Sequence, residues 1–237
     1  MNGLIGLVGT LALLLFFGAA LGLADRRNFS ARWLVIAAVM VAINDALLTR
    51  CYGLLPDLIG GAWNWQGKLM ALAASIAMAA LPAYGFRQAG LTLSHAAGSL
   101  KAAAPVAVAY CAFFFVIALF FAADQPSAED VAFQLTMPGL EEELFYRGIL
   151  LFALDKAFRG RKRLLGVDWG WGAVLSCLLF GMTHAFGYSD GHFSFDPAIM
   201  ALTAIPSFIA VWLRRRTGSL LLPVALHNFG NAISFLV

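Results

Sequence analysis

Charge is what this chain has least of. Only 12% of its 237 residues are Asp, Glu, Lys or Arg, about half of the roughly 25% usual in a soluble domain. Long polar linkers are also missing, so nothing is left over from which to build a separate soluble domain. Cysteine is scarce: Cys51, Cys111 and Cys177 form no CxxC pair, which excludes a disulfide framework. Cys111 and Cys177 lie inside apolar runs, where a thiol behaves as a small hydrophobe. No HExxH occurs, so that helical zinc-protease signature is excluded. The net charge of +3 is small, and the basic residues fall in loops. They act as topology signals, and no nucleic-acid partner is expected.

What is present is hydrophobic, at 61% of residues with a mean hydropathy of +0.81. The apolar runs are 3–23, 33–48, 67–84, 102–123, 138–158, 171–186, 197–213 and 219–237. A span needs ~20 apolar residues. The expected fold is therefore all-α, a polytopic membrane helix bundle of about eight transmembrane helices forming one integral-membrane domain over 1–237. The first run has no positive n-region and does not read as a cleaved signal peptide. Tyr52, Trp63 and Trp65 suit an aromatic belt at the membrane surface. Asn44 and Asp45, near the end of the second run, either support the core or sit at the interface, and the interface is the default reading.

Lys and Arg gather in cytoplasmic loops. The loops after runs one, three, five and seven, with their flanks, hold 13 of the 16 basic residues. Both termini are then expected on the outer side of the membrane.

One stretch breaks the apolar pattern. Glu141, Glu142, Glu143 and Arg147 open the fifth run. Each charge near mid-bilayer costs roughly 2.5–3.5 kcal/mol unless it pairs or reaches water, and such a cluster marks a functional site. Glu143 and Arg147 are four apart and share a helix face. Glu142 points about 100° away. Pairing of Glu143 with Arg147 would leave Glu142 free as a general base. The bland reading is a solvated acidic helix start.

The sixth run ends at His184, and the eighth carries His227 and Asn231 on one face. Depth counting places all of them with Glu142 in the outer half of the bilayer. A Glu and a His can hold and deprotonate a water. A His and an amide can donate to a developing oxyanion. These are the parts for amide hydrolysis without a side-chain nucleophile. Glu142, His184 and His227 are equally a zinc donor set with an open position.

These residues resemble the CPBP family of intramembrane proteases (CAAX processing and bacteriocin processing, also called Abi), whose eukaryotic members include the Ras-converting prenyl-protein endopeptidase. Glu142-Glu143-x-x-x-Arg147 matches the family's EExxxR, Phe180 and His184 match FxxxH, and His227 and Asn231 match HxxxN. Glu141-Glu142 does not fit, because position 146 is Tyr. The likeness covers roughly 100–237, with the motifs inside 138–237; residues 1–100 add accessory transmembrane helices. It implies an intramembrane endopeptidase acting on a membrane-anchored protein or peptide. Glu142 and His184 would activate water, His227 and Asn231 would stabilise the oxyanion, and Glu143 and Arg147 would hold the site in shape. Glutamate-type chemistry without a cofactor is favoured, with zinc as the alternative. The expected location is a prokaryotic inner membrane; the charge pattern puts the site toward the outer side, whereas the prenyl-protein enzymes of the family cut substrates presented from the cytosol. The competing reading is a peptide-binding immunity or secretion-partner protein that does not cut. A transporter is a weaker third reading, because no internal repeat is visible. His192 is read as a surface loop residue or a lid.

Overall fold

Two of the first three helices pack mainly through small residues. In α1 (Asn2–Ala24) the buried positions are Gly6, Thr10, Leu14, Gly18 and Gly22, one every four residues. In α3 (Trp65–Ala80) they are Gly67, Ala71, Ser75 and Ala79, again every fourth. Lipid tails are as apolar as leucine, so helices in a bilayer associate where small residues let backbones approach. The opposite faces stay apolar and exposed, with Val8, Phe16 and Phe17 on α1 and Val35, Val39 and Ile43 on α2 (Ala31–Thr49). A helix apolar on both its packed and its free faces belongs in lipid.

The computed structural model describes all residues from Met1 to Val237. Every apolar run forms a helix over most of its length. The remaining helices are α4 (Ser99–Phe120), α5 (Ala128–Gln134), α6 (Met137–Glu143), α7 (Leu151–Ala157), α8 (Trp171–Ala185), α9 (Pro197–Thr217) and α10 (Leu221–Ala232). Four of them, α1, α2, α4 and α9, are long and apolar enough to cross a membrane by length and composition. α3, α8 and α10 are shorter, with 16, 15 and 12 residues.

The fifth run is one uninterrupted helical segment, as expected over 138–158, but its centre is wound differently: α6 and α7 are joined by a π-helical stretch, Leu144–Leu150. This stretch is buried throughout and forms the centre of the main core with Leu34, Ala37, Ala79, Leu175 and Phe180. π-Turns inside helices occur frequently at functional sites.

Two antiparallel hairpins decorate the bundle: β1 (Lys162–Leu164) with β2 (Val167–Trp169), and β3 (Phe186–Ser189) with β4 (His192–Phe195). Part of the acidic segment between the fourth and fifth runs folds into α5. A Ser127–Asp130 capping box starts it. Glu129 then accepts hydrogen bonds from the Ala62 and Trp63 amides and the Trp65 indole, and Asp130 accepts from the Trp63 indole. Trp63 stacks on Phe133 at 4.8 Å. Both tryptophans are therefore fastened to α5.

Loop contacts fall into two sets. Arg159 donates to the Arg27 carbonyl, Phe29 pairs with Phe158, and Arg214 donates to the Gln88 carbonyl. These join the basic loops that follow runs one, three, five and seven. At the other end, the 62–65 segment meets α5, and β3 packs on α1. The site lies at this second end.

Candidate active site

Glu142, in the last turn of α6, stands on the wall between two cavities. One, of about 220 Å³, is lined by Glu142, Glu143, Arg147, His184, His227 and Asn231 among others. The second, of about 420 Å³, lies under β3 and between α1 and α2, and shares only Glu142 and His184 with the first. The three helical segments expected to converge do so. Glu142 Oε2 is 4.0 Å from His184 Nε2 and 3.7 Å from His227 Nε2. That oxygen is buried and has no hydrogen-bond partner.

The hydrogen bonds behind the two imidazoles decide which nitrogens face the cavity. His184 Nδ1 is 2.8 Å from the Phe180 carbonyl oxygen. A carbonyl only accepts, so Nδ1 carries the proton. His227 Nδ1 is 2.7 Å from Glu143 Oε1, and a carboxylate there fixes the same tautomer. Neutral imidazoles would thus present two Nε2 lone pairs to the unpartnered Glu142 oxygen. Three acceptors facing one point call for something that donates: a water, a proton or a cation.

The donor chemistry, two imidazoles and a carboxylate each backed by a second partner, fits zinc. Tetrahedral zinc with 2.0–2.1 Å bonds separates its ligand atoms by about 3.3 Å. A bridging water separates its two partners by about 4.5 Å. The observed 3.7 and 4.0 Å fall between. As placed, no three His, Cys, Asp or Glu side chains are arranged to hold a metal ion.

Glu143 and Arg147 form the expected i,i+4 pair at 3.2 Å, both buried. Glu143 also reaches His227, so it links the first and third motifs. The Arg147 guanidinium lies 4.1 Å from the centre of the Phe180 ring, a cation–π contact that ties in the second motif. Asn231 lines the smaller cavity. Its neighbour Asn228 accepts the Gly139 amide at 2.7 Å, which holds α10 against the start of α6. His192 is exposed and lines neither cavity.

One expectation is corrected. Glu142 is not left free by the Glu143–Arg147 pair. Lys68 Nζ donates to Glu142 Oε1 at 2.6 Å and to Glu141 Oε2 at 2.8 Å. Asn44 Nδ2 donates to Glu141 Oε1 at 3.1 Å. The physical reason is that Glu141 is fully buried, and a carboxylate there needs a cation and donors. Lys68 therefore bridges both acids and turns Glu142 so that only Oε2 faces the histidines. Asn44 is a buried part of this network, so the core-support reading holds for it and the interfacial one does not; Asp45 remains outside it, paired with Arg50. Lys68 and Asn44 carried no motif. Their one sequence signal was a polar residue inside an apolar run.

Residues 124–233 match the family model described as type II CAAX prenyl endopeptidase, Rce1-like. No curated protein and no solved structure matches the chain. The match takes in Glu142, His184, His227 and Asn231; Lys68 and Asn44 lie before it.

Proposed function

We propose, from the match of residues 124–233 to the Rce1-like type II CAAX prenyl endopeptidase model, that the chain is an intramembrane endopeptidase that hydrolyses a peptide bond of a membrane-associated protein or peptide. The observation that carries this reading is the unpartnered Glu142 Oε2 facing two imidazole Nε2 atoms inside a cavity. A water there donates one proton to Glu142 and turns its lone pair toward a carbonyl carbon. Glu142 takes that proton as the C–O bond forms, with His184 holding the water.

The carbonyl oxygen becomes an oxyanion beside His227 and Asn231. Asn231 donates through its amide. His227 can donate through Nε2 only when that nitrogen carries a proton as well as Nδ1. The proton on Glu142 or His184 then passes to the leaving amine. Glu143 and Arg147 orient His227, and Lys68 orients Glu142. With zinc bound by Glu142, His184 and His227, the metal would supply Lewis-acid polarisation of the water; the same residues would hold it.

An apolar cleft of about 510 Å³ between α4 and α9 adjoins the smaller cavity, and Tyr110, Phe114 and Leu202 line both. It suits the hydrophobic part of a membrane-anchored substrate. By charge pattern the site opens to the outer side of a prokaryotic cell membrane, and the substrates are anchored peptides or C-terminal tails at that face.

The test compares protein termini in membranes and medium of the host carrying the wild-type chain or Glu142→Gln. Loss of defined termini at equal abundance of the variant is the expected result and names the substrate. Identical termini, with a resistance or secretion phenotype intact in the variant, would overturn the reading in favour of peptide binding without cleavage. Activity that a chelator abolishes and added zinc restores would select the metal form of the mechanism.

A further inference from the structure

At the basic end of the bundle, away from the catalytic cavity, lies a third cavity of about 390 Å³. Five arginines line it: Arg147, Arg163, Arg214, Arg215 and Arg216, with Asp155 and Asp168. The acids do not answer all of the cations. Arg147 pairs with Glu143, Arg163 with Asp168 at 3.1 Å, and Arg215 with both oxygens of Asp155 at 2.8 Å. Asp155 also carries Arg161 at 3.0 Å.

Arg214 and Arg216 are left with carbonyls alone. Arg214 donates to the Gln88 oxygen at 2.7 Å, and Arg216 reaches the Gly166 oxygen only at 3.5 Å. The Nε atoms of Arg147, Arg214, Arg215 and Arg216 are all buried without a hydrogen-bond partner. The three α9 arginines are half-buried, so the buried Nε–H groups are donors that water does not reach and no protein acceptor answers. A wall with spare N–H donors and a surplus of positive charge wants an oxyanion, and the planar guanidinium fork matches phosphate best.

Position narrows the source. Arg214, Arg215 and Arg216 are the last turn of α9, a helix long and apolar enough to cross a membrane. The cavity therefore stands where a span leaves the hydrocarbon and meets the headgroups. A topology signal needs only that arginines follow the span; it does not need them to wall a cavity. Basic pockets between spans at that level bind anionic headgroups. We propose that this cavity binds a phosphate oxyanion, presented by the headgroup of an anionic phospholipid. Arg147 lines both this cavity and the catalytic one, so the occupant sits against the Glu143–Arg147–His227 chain.

The test uses the full chain in neutral detergent, melted by tryptophan fluorescence with phosphatidylglycerol, phosphatidylcholine or inorganic phosphate. Phosphatidylglycerol at a hundredfold excess over its Kd should raise Tm by about 5 °C or more, with no rise from phosphatidylcholine. The shift should vanish in Arg214→Gln/Arg216→Gln and shrink in Arg216→Gln alone, which gives up only the 3.5 Å contact and so keeps the test open if the double variant fails to fold. An equal rise with inorganic phosphate would keep the oxyanion site but make a free phosphate its source. No rise with phosphatidylglycerol, an equal rise with phosphatidylcholine, or a rise undiminished in Arg216→Gln would overturn the proposal. None of these outcomes depends on proteolysis.

Discussion

Lys68 shows how much one buried cation decides. Three successive carboxylates, Glu141, Glu142 and Glu143, face two buried cations, Lys68 and Arg147. Breaking a buried pair by removing one partner costs about 3–5 kcal/mol, whereas removing both is far milder. Lys68→Met should therefore lower the melting temperature sharply, and Lys68→Met/Glu141→Gln should recover most of it. The double variant should still cleave at least tenfold more slowly than wild type, because nothing then turns Glu142 toward His184 and His227. Melting curves and cleavage rates on the two variants separate the positioning role from the structural one. Recovery of full rate by the double variant would show that Lys68 only neutralises Glu141. The motif residues were legible in the sequence because their spacing is local: four residues set Glu143 against Arg147 and His227 beside Asn231. Lys68 and Asn44 were not, because they act on Glu141 across 73 and 97 residues, and no local pattern records a contact of that range.

Among the elements, the fifth run carries the main lesson. Its apolar length was plain, but a 3.6-residue period cannot show a π-turn, which depends on how Leu144–Leu150 packs against α2, α3 and α8. The contact of α6 with α10 is equally tight. A Cβ on Gly139 would stand 2.5 Å from Asn228 Oδ1 and 2.7 Å from the Val224 carbonyl oxygen. Gly139→Ala must part the helices that hold Glu142 and His227. A displacement of about 1 Å can cost a hundredfold in rate, so cleavage should fall at least tenfold while the protein still inserts. Gly53→Ala, with nothing within 4 Å, is the control and should leave the rate unchanged.

The α5 strap responds to pH. The Ala62 and Trp63 amides and the Trp65 indole hold Glu129 below the usual carboxylate range, and the Trp63 indole and Ser127 do the same for Asp130. Depressed folded values mean that the stabilisation is full above the unfolded carboxylate pKa, about 4, and is lost as pH falls through the folded values. Acidification from pH 6 to below 4 should release Trp63 from Phe133 and shift the tryptophan emission. Glu129→Gln should show part of that shift already at pH 6.

On the scale of the whole molecule, the eight apolar runs and the helical class were legible because composition alone forces them. The arrangement of the helices was not, since it rests on small-residue stripes such as Gly6, Thr10, Gly18 and Gly22 that look like any apolar sequence until a partner is known. The grouping of loops bears on orientation. Contacts gather the basic loops, including Arg27, Arg159 and Arg214, at one end, and Glu142 with both its cavities lies at the other. Positive charge is retained on the cytoplasmic side because short loops rich in Lys and Arg are not translocated readily. The catalytic cavity should then open outward. Reporter fusions after Arg161 and after Asp190 test this directly. A cytoplasmic-active reporter should work at Arg161 and an export-dependent one at Asp190. The reverse pattern would put Glu142 on the cytosolic face, and the substrates would have to be sought among proteins anchored from within.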